Sequence, residues 1–132
     1  MNDLTGKVAV VTGGASGIGE ATARLFDVQD GATFAKEIGG AFQATDVRDP
    51  AAVRTLVDRA VAEFGRLDVL FNNAGIEIHA PLAGMDDAQH RNLIDVNVHG
   101  VFYGLKHGIQ AILRNAGPAR GSTGGRMSAR RE

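Results

Sequence analysis

An apolar, β-branched run that ends in a cluster of glycines constrains the fold of this chain more than any other feature. Residues 7–12 read Lys-Val-Ala-Val-Val-Thr, and the seven residues that follow include four glycines, at positions 13, 14, 17 and 19. Such a run is typical of a strand that is buried on both faces. Glycines directly after a strand allow a sharp turn, a close approach of the backbone to a pyrophosphate and tight packing of the next helix. The segment therefore predicts a strand, a turn and a helix, either with an anion at the helix N-terminus or as a plain tight turn.

The distribution of apolar residues predicts alternating strands and helices along most of the chain. Short apolar runs bounded by turn residues predict strands, which cover residues 7–12, 41–47 and 67–72. Apolar residues at spacings of three and four predict helices, which cover residues 18–26, 31–38, 50–64 and 86–113. Strands that alternate with helices favour a parallel sheet with right-handed crossovers. We therefore predict an α/β fold of Rossmann type, with helices flanking the sheet.

Two of the predicted helices carry further information. Asp49 is a favourable N-cap residue, worth about 1 kcal/mol, and Pro50 suits the first helical position. Gly65 follows the last apolar residue of this helix and predicts its C-terminal end. The long helix from Asp86 to Leu113 is too apolar for a one-sided surface helix. We expect it to contact the sheet on one side and a second surface on another.

Four short motifs follow one another along the predicted strands and helices. They are Thr12-Gly13-x-x-x-Gly17-x-Gly19, Asp46-Val47, Asn72-Asn73-Ala74-Gly75 and Asp95-Val96-Asn97. Their order resembles the short-chain dehydrogenase/reductase family, and the resemblance spans residues 4 to about 114. It implies a dinucleotide-dependent oxidoreductase of the classical branch, which transfers a hydride between a nicotinamide and a secondary alcohol or ketone.

The resemblance also implies roles for individual residues. Those expected to line the cofactor pyrophosphate are Gly13, Ser16, Gly17, Ile18 and Gly19. Asp46 and Val47 would meet the adenine, and the segment from Asn73 through Ala74 to Gly75 would border the ribose. Asn97 would help to hold a proton-relay water near the active site. Two of these have plainer interpretations, because Asp46 is also a favoured turn residue and Asn97 can bond to its own helix or to a neighbouring loop.

The first departure from the family pattern is a missing strand after the first helix. The family carries there an acid for the adenosine ribose, about 20 residues past the glycines, whereas Asp27 lies eight residues after Gly19. The linker of residues 26–30 reaches at most about 17 Å, little more than the 15 Å or so of a ten-residue helix. We expect an incomplete sheet in which residues 41–47 pair directly with residues 7–12. Otherwise that strand is reversed or displaced and the chain is only marginally folded.

The second departure concerns the catalytic residues. The family reaction uses a serine on the fifth strand and a Tyr-x-x-x-Lys pair on the helix after it. This sequence contains no Tyr-x-x-x-Lys, and its serines other than Ser16 are Ser122 and Ser128, both in the tail. Tyr103 and Lys106 are three residues apart, not four, and we expect them to be packing residues. We therefore expect these 132 residues to be inactive alone. The alternative to an oxidoreductase is a non-catalytic nucleotide-binding remnant or a misfolded, truncated product.

The last residues differ sharply in composition from the rest. The formal net charge of −1 combines −5 over residues 1–113 and +4 over residues 114–132, and no large apolar residue other than Met127 follows Asn115. We predict a partial dinucleotide-binding domain over residues 1–114 and a disordered, basic, Gly/Arg-rich tail over residues 115–132. Because the tail has no aromatic residue on which a base could stack, we do not expect nucleic acid as a partner.

The remaining expectations concern the cofactor, the compartment and metals. We prefer NAD to NADP because Asp27 is acidic and no Lys or Arg lies between Thr12 and Gly19 to bind a 2′-phosphate. No apolar run approaches the roughly 20 residues that cross a bilayer, and the first seven residues lack the pattern of a secretory signal. We therefore expect no membrane partner and a cytoplasmic location. None of the four histidines has a carboxylate or cysteine at ligand spacing, so no metal site is expected.

The long helix also bears on association. Its apolar surface is wider than the sheet alone can cover, and exposed apolar patches of more than a few hundred Å² promote association. We expect self-association without a tetramer of the kind that the family forms, because the second helix of the family interface has no counterpart in this sequence.

Overall fold

The computed structural model describes residues 6–14, 18–19, 22 and 41–115. The elements in chain order are strand β1 (Ala9–Val11), helix α1 (Pro50–Phe64), strand β2 (Val69–Phe71), a 3₁₀ turn (Leu82–Gly84), helix α2 (Asp87–Ile94), a π-helical turn (Asp95–His99) and helix α3 (Gly100–Asn115). Residues 18, 19 and 22 are helical as well. The predicted helix over residues 31–38 and the predicted tail beyond residue 115 lie outside the described residues.

The two strands form a parallel sheet. Val10 pairs with Leu70, and the pairing continues by one residue on each side. Beyond the strands the backbone contact extends to Thr12, whose N–H donates to the Phe71 carbonyl at 3.0 Å. The mixed α/β architecture with a parallel sheet confirms the predicted fold class. Each strand is shorter than the apolar run that predicted it, because only three residues of each run form ladder pairs.

The hydrophobic core lies between this sheet and the two long helices. Its buried side chains come from β1, α1, the segment just before β2 and the last turns of α3, and they are Val10, Val57, Ala60, Leu67 and Ala111. Leu67 is fully buried. Burying a Val or Leu side chain contributes about 1.5–3 kcal/mol, so this cluster fixes α1 and α3 on the sheet.

Helix α1 begins and ends where the sequence predicts. The Asp49 carboxylate accepts from the N–H of Ala51 at 2.8 Å, and Pro50 is the first helical residue. Gly65 ends the helix with φ of 80°, and its N–H donates to the Val61 carbonyl. That left-handed conformation favours glycine, so both end signals are confirmed.

The hydrogen-bond pattern of the long predicted helix is interrupted at a point that the sequence does not predict. Asp86 caps its start and forms a capping box with Gln89. The helical path then continues to Asn115, but Asp95–His99 forms a π-helical turn between α2 and α3. Such turns are rare and are frequent at functional sites. This one places Asn97 on the widened turn.

The face of α3 that meets the sheet consists of small residues. Gly100, Gly104, Gly108 and Ala111 are its buried residues. A Cβ atom at Gly104 would lie 2.8 Å from the Asn72 Cγ, and one at Gly100 would lie 2.9 Å from a methyl carbon of Val47. The helix backbone therefore packs directly on the residue after β2 and on the segment before α1. Five large apolar side chains of the long helix are exposed instead, by 45% to 65%, and they are Val98, Phe102, Leu105, Ile109 and Leu113.

The opposite end of the sheet is held by Asp68. Its carboxylate accepts from the Val8 N–H at 2.9 Å and from the Arg66 guanidinium at 2.6 and 2.8 Å. Burial alone would raise the pKa of Asp68, but the hydrogen bonds from Arg66 and Val8 outweigh it and hold that pKa below its ordinary value. Asp68 thereby joins the starts of β1 and β2.

The strand predicted over residues 41–47 is not formed, and that prediction is wrong. Residues 41–46 are described but belong to no helix or strand. The Phe42 carbonyl accepts from the Arg59 side chain at 3.0 Å, and the Thr45 hydroxyl donates to the Gln43 carbonyl at 3.3 Å. Side chains occupy carbonyls that a ladder would need, and the expected pairing with β1 is absent among the described residues. In that part of the chain the sheet has β1 and β2 alone.

No helix in the described ranges is both long enough and apolar enough to cross a membrane.

The contact of α3 with the sheet predicts that Gly104→Ala destabilises the protein although alanine is the better helix former. The added methyl group has no space beside Asn72, and overpacking of this kind costs about 1–3 kcal/mol. Urea denaturation followed by circular dichroism measures the loss. The matched control is Gly84→Ala, where a Cβ meets nothing within 4 Å and the free energy of unfolding should change by less than about 0.5 kcal/mol. Equal stabilities for the two variants would contradict the close approach.

Candidate functional site

The loops that follow β1 and β2 meet at one edge of the sheet. Thr12 to Gly14 follow β1, and Asn72 to Gly75 follow β2. The carboxyl ends of parallel strands lie at the same edge, which is where open α/β sheets bind their ligands. The structure thus brings two of the predicted motifs into contact.

The side chain of Thr12 joins these two loops. Its hydroxyl accepts hydrogen bonds from the backbone N–H groups of Asn73 and Ala74, both at 3.0 Å. It lies 3.5 Å from the Phe71 carbonyl, to which it donates. Thr12 is 8% exposed. A buried hydroxyl with donors and an acceptor around it fixes the position of each loop relative to the other.

The Asn73 side chain adds a second connection. Its Nδ2 donates to the Thr12 carbonyl at 3.2 Å and to the Gly13 carbonyl at 3.3 Å. Gly13 has φ of 65°, a conformation that favours glycine, and a Cβ there would lie 3.0 Å from the Ala74 Cα. A Cβ at Gly19 would lie 2.9 Å from the Gly13 carbonyl carbon. The turn is therefore closed tightly enough that side chains are excluded from both glycines.

Asn97 bonds to the loop that follows this edge. Its Oδ1 accepts from the Ile76 N–H at 2.8 Å, and its Nδ2 donates to the Ile76 carbonyl at 2.7 Å. The Asn97 side chain therefore forms hydrogen bonds with a neighbouring loop, which is the plainer of the two interpretations of this residue. The π-helical turn brings this amide to Ile76, which follows Gly75 directly. Asn97 thus ties the end of the Asn-Asn-Ala-Gly segment to the long helix.

Asp46 forms an exposed ion pair. Its carboxylate accepts from Nε and Nη2 of Arg48 at 2.9 and 2.7 Å, and from the Arg48 backbone N–H at 3.0 Å. The side-chain hydrogen bond from Arg48 lowers the pKa of Asp46 to about 2. The Asp46 carbonyl also accepts from the Asp49 N–H at 3.1 Å. Asp46 therefore starts a turn, as its plainer interpretation predicts, with its carboxylate held ionised.

Sequence reasoning missed two polar residues beside Asp46. The third nitrogen of Arg48, Nη1, donates to the Asn92 Oδ1 at 2.7 Å. Neither residue belongs to a motif, and they are 44 positions apart. The side chain of Val47, the other residue of this motif, lies against Gly100.

The Tyr103 and Lys106 pair does not come together as a catalytic pair. Within the described part of the chain no hydrogen bond joins the two side chains. The Tyr103 ring instead packs beside Phe102 and His99, with ring centres 5.7 and 6.3 Å apart. His99 is itself bonded to Asp95 at 2.9 Å.

In the described ranges no three His, Asp or Glu side chains come close enough together to hold a metal ion.

Several predicted site residues are not placed by the structure. Ser16, Gly17 and Asp27 lie outside the described residues. Ile18 is described as helical, with its side chain mostly exposed. Contacts between these residues and the edge at Thr12 remain predictions.

Comparison with known proteins extends these observations. The family model described as short chain dehydrogenase matches residues 7–122. The short-chain dehydrogenase reductase ATA1 of Arabidopsis thaliana is 42% identical over 121 residues, covering 82% of this chain and 44% of that protein. The mitochondrial borneol dehydrogenase of Lavandula x intermedia is 39% identical over 130 residues, covering 87% of this chain and 50% of that protein.

A similar solved structure is that of a blue fluorescent protein from a metagenomic library in complex with NADPH. It is 31% identical, has a TM-score of 0.73, and the match covers 84% of this chain and 53% of that one. This chain therefore spans about half the length of the relatives that it matches. Since the family model covers most of the sequence and the sheet edge carries two of the family's motifs in contact, the chain belongs to the short-chain dehydrogenase family.

Proposed function

We propose that the sheet edge around Thr12 binds a nicotinamide dinucleotide, and that the complete protein uses it to transfer a hydride between the nicotinamide and a secondary alcohol or ketone. The observation that carries the proposal is the contact of the Thr12 hydroxyl with the N–H groups of Asn73 and Ala74. It joins a glycine turn that excludes side chains to the loop after the next strand. The NADPH in the similar structure supports the same cofactor class.

Each predicted residue has a chemical role in this proposal. The glycine loop, with Gly13, Ser16, Gly17, Ile18 and Gly19, presents backbone N–H groups and the positive end of a helix to the pyrophosphate. Asp46 and Val47 meet the adenine, and Asp27 meets its ribose. The segment of Asn73, Ala74 and Gly75 borders the second ribose. Asn97, through its bonds to Ile76, holds that segment against the long helix and keeps the proton-relay water of the complete enzyme in place.

The same residues bind but do not catalyse. No Tyr-x-x-x-Lys occurs in the sequence, and the Tyr103 ring packs against its own helix. General acid–base groups typically contribute about 10² to 10⁴ in rate. We therefore propose that these 132 residues alone act as a nucleotide-binding unit without turnover.

The choice between NAD and NADP depends on residues near the adenosine ribose. The acidic Asp27 and the absence of Lys or Arg between Thr12 and Gly19 favour NAD, whereas the NADPH of the similar structure favours NADP. We propose NAD on the residues of this chain itself.

We also propose a cytoplasmic location, although the name of the similar borneol dehydrogenase assigns that protein to mitochondria.

We further propose that the chain associates with itself through the exposed apolar face of α3 and of the π-helical turn before it. This face consists of side chains spaced by three or four residues, which are Val98, Phe102, Leu105, Ile109 and Leu113. Burying such a face contributes about 25 cal/mol for each Å² of apolar area. The small residues on the other side of the helix hold it on the sheet, so the apolar face stays turned outward.

Calorimetric titration should show that the chain binds NAD, and that it binds NAD more tightly than NADP. Gly13→Ala should weaken binding about tenfold, because a Cβ at Gly13 would lie 3.0 Å from the Ala74 Cα and would displace the loop that borders the cofactor. Gly84→Ala, remote from the sheet edge, should bind as the wild type does. No binding of either dinucleotide would contradict the proposed function. Tighter binding of NADP would overturn only the choice of NAD.

The titrated protein should produce no NADH from NAD and secondary alcohols such as 2-propanol or cyclohexanol. NADH production that is abolished by Tyr103→Phe would show that the chain is catalytic by itself, and the binding-unit proposal would then be wrong.

Light scattering should give a mean mass that rises above that of the monomer as concentration increases. Ile109→Gln should shift the mass towards the monomer, because it places a polar group in the centre of the apolar face. Leu82→Gln is the matched control, since Leu82 is also exposed but lies on the 3₁₀ turn. A sharp monomer mass at high concentration would contradict the proposed association.

A further inference from the structure

A cleft between α1 and α3 has no part in the proposed dinucleotide site. Its volume is about 240 Å³, whereas one water molecule occupies about 30 Å³ of the liquid. The cleft therefore has room for a small molecule together with water. Ala111, which is 3% exposed, contributes only a methyl group to its lining. The other lining residues are polar or charged, and they are Arg54, Asp58, His107, Gln110 and Arg114.

The charged groups of this cleft are mainly positive. Arg54 and Arg114 contribute +2 and Asp58 contributes −1, so the lining carries +1 while His107 is neutral and +2 once His107 is protonated. Residues 1–113 as a whole carry −5. The cleft is therefore a positive region on an acidic domain, and a cleft lined by charges of one sign concentrates ions of the opposite sign.

Asp58 does not occupy the donors of Arg54. Nε of Arg54 donates to Oδ2 of Asp58 at 3.4 Å, which is longer than the 2.7–2.9 Å or so of a typical hydrogen bond between charged groups. Both side chains are mostly exposed, and an exposed pair of this kind contributes little to stability. A guanidinium has five N–H donors in a planar fork. Arg54 can therefore bind an oxyanion with the donors that Asp58 leaves.

The imidazole of His107 is affected by the same positive charges. Burial lowers the pKa of His107, and the charges of Lys106 and Arg54 lower it further, whereas the charge of Asp58 acts in the opposite direction. An anion in the cleft would oppose the two cations and raise this pKa. By thermodynamic linkage, protonation of His107 must then strengthen anion binding by the same factor.

We propose that the cleft between α1 and α3 is a binding site for a small tetrahedral oxyanion, such as a phosphate or sulfate group. Arg54 approaches the anion from α1 and Arg114 from α3, and the planar fork of arginine matches the geometry of phosphate oxygens. The Gln110 amide supplies a neutral donor. His107 adds a charged donor when it is protonated. The site is separate from the sheet edge around Thr12 and does not depend on dinucleotide binding.

The ring signals of His107 report on this site directly. In nitrogen–proton correlation spectra of the full chain they should shift as sulfate is added, at an ionic strength held constant with sodium chloride. Sulfate is the probe because its charge does not change between about pH 5.5 and 8, whereas a phosphate group titrates in that range. We expect a dissociation constant on the order of 1 mM at about pH 8. It should fall several-fold towards pH 5.5 or so, as His107 becomes protonated.

Three variants separate the contributions to binding. Arg54→Gln and Arg114→Gln should each weaken sulfate binding about tenfold, because each removes one charged donor. His107→Gln should bind sulfate as the wild type does at high pH, but without the increase at low pH. The matched control is Arg91→Gln, which removes the same charge from an exposed position in the last turn of α2 and should bind as the wild type does. Calorimetry measures all four affinities, and circular dichroism checks that each variant is folded.

The source of the oxyanion follows from a further titration. Glycerol 3-phosphate that binds more tightly than inorganic phosphate would assign the site to the phosphate group of an organic molecule. Equal or weaker binding would assign it to a free oxyanion, and both results agree with the proposed site.

Three results would contradict the proposal. The first is the absence of any shift of the His107 signals at saturating sulfate. The second is equal sulfate affinity in Arg54→Gln, Arg114→Gln and Arg91→Gln, since that would show only a general attraction of anions. The third is a pH dependence that persists in His107→Gln, which would overturn the part played by His107. Failure of the chain to bind NAD would leave this site unaffected, so the two proposals are tested separately.

Discussion

The hydroxyl of Thr12 is the contact on which the candidate site depends. It lies at the point where β1 ends, and it accepts from two consecutive N–H groups at the end of β2. Without an acceptor, each of these N–H groups would cost about 1–3 kcal/mol if it stayed buried. The glycine turn and the Asn-Asn-Ala-Gly segment are therefore fixed relative to each other before any ligand arrives. A dinucleotide that bridges them meets loops that are already in place, which lowers the entropy that binding must overcome.

The long helix supplies the second support for this edge. Because Gly104 lacks a side chain, the helix backbone lies directly against Asn72 at the end of β2. The π-helical turn, which directly precedes α3, brings the Asn97 amide to the backbone N–H and carbonyl of Ile76. Small residues on one side and a widened turn thus place a single helix against the strand end and the loop that follows it. Five large apolar side chains, from Val98 to Leu113, remain exposed on the long helix.

The sequence predicted those parts of the structure that local signals determine. Asp49, Pro50 and Gly65 each act within one turn of α1, and all three are confirmed. Thr12, Gly13 and the asparagine motif lie just after the two strands, as the sequence predicts, because the carboxyl ends of parallel strands lie at the same edge of the sheet. The prediction of a strand over residues 41–47 was wrong. A strand needs a neighbouring strand to pair with, and here the Arg59 side chain donates a hydrogen bond to the Phe42 carbonyl instead.

Other features depend on contacts between distant residues. The Arg48 to Asn92 bond joins a turn to a helix 44 positions away, and no spacing rule points to it. The inward face of the long helix was also missed, because apolar periodicity marks large residues and this face is made of glycine. The π-helical turn leaves no compositional mark at all. Each of these three features depends on a contact with a residue that is distant in the sequence, and the residues on either side of it carry no sign of that contact.

Amide hydrogen exchange with and without NADH tests the central claim most directly, because it reports the protection of individual N–H groups. If the edge around Thr12 holds the cofactor, NADH should slow exchange at Gly13, Gly14, Gly75 and Ile76. Exchange at Gly84 and Met85, on the 3₁₀ turn, should not change. Unchanged exchange along both loops at a saturating NADH concentration would contradict the account.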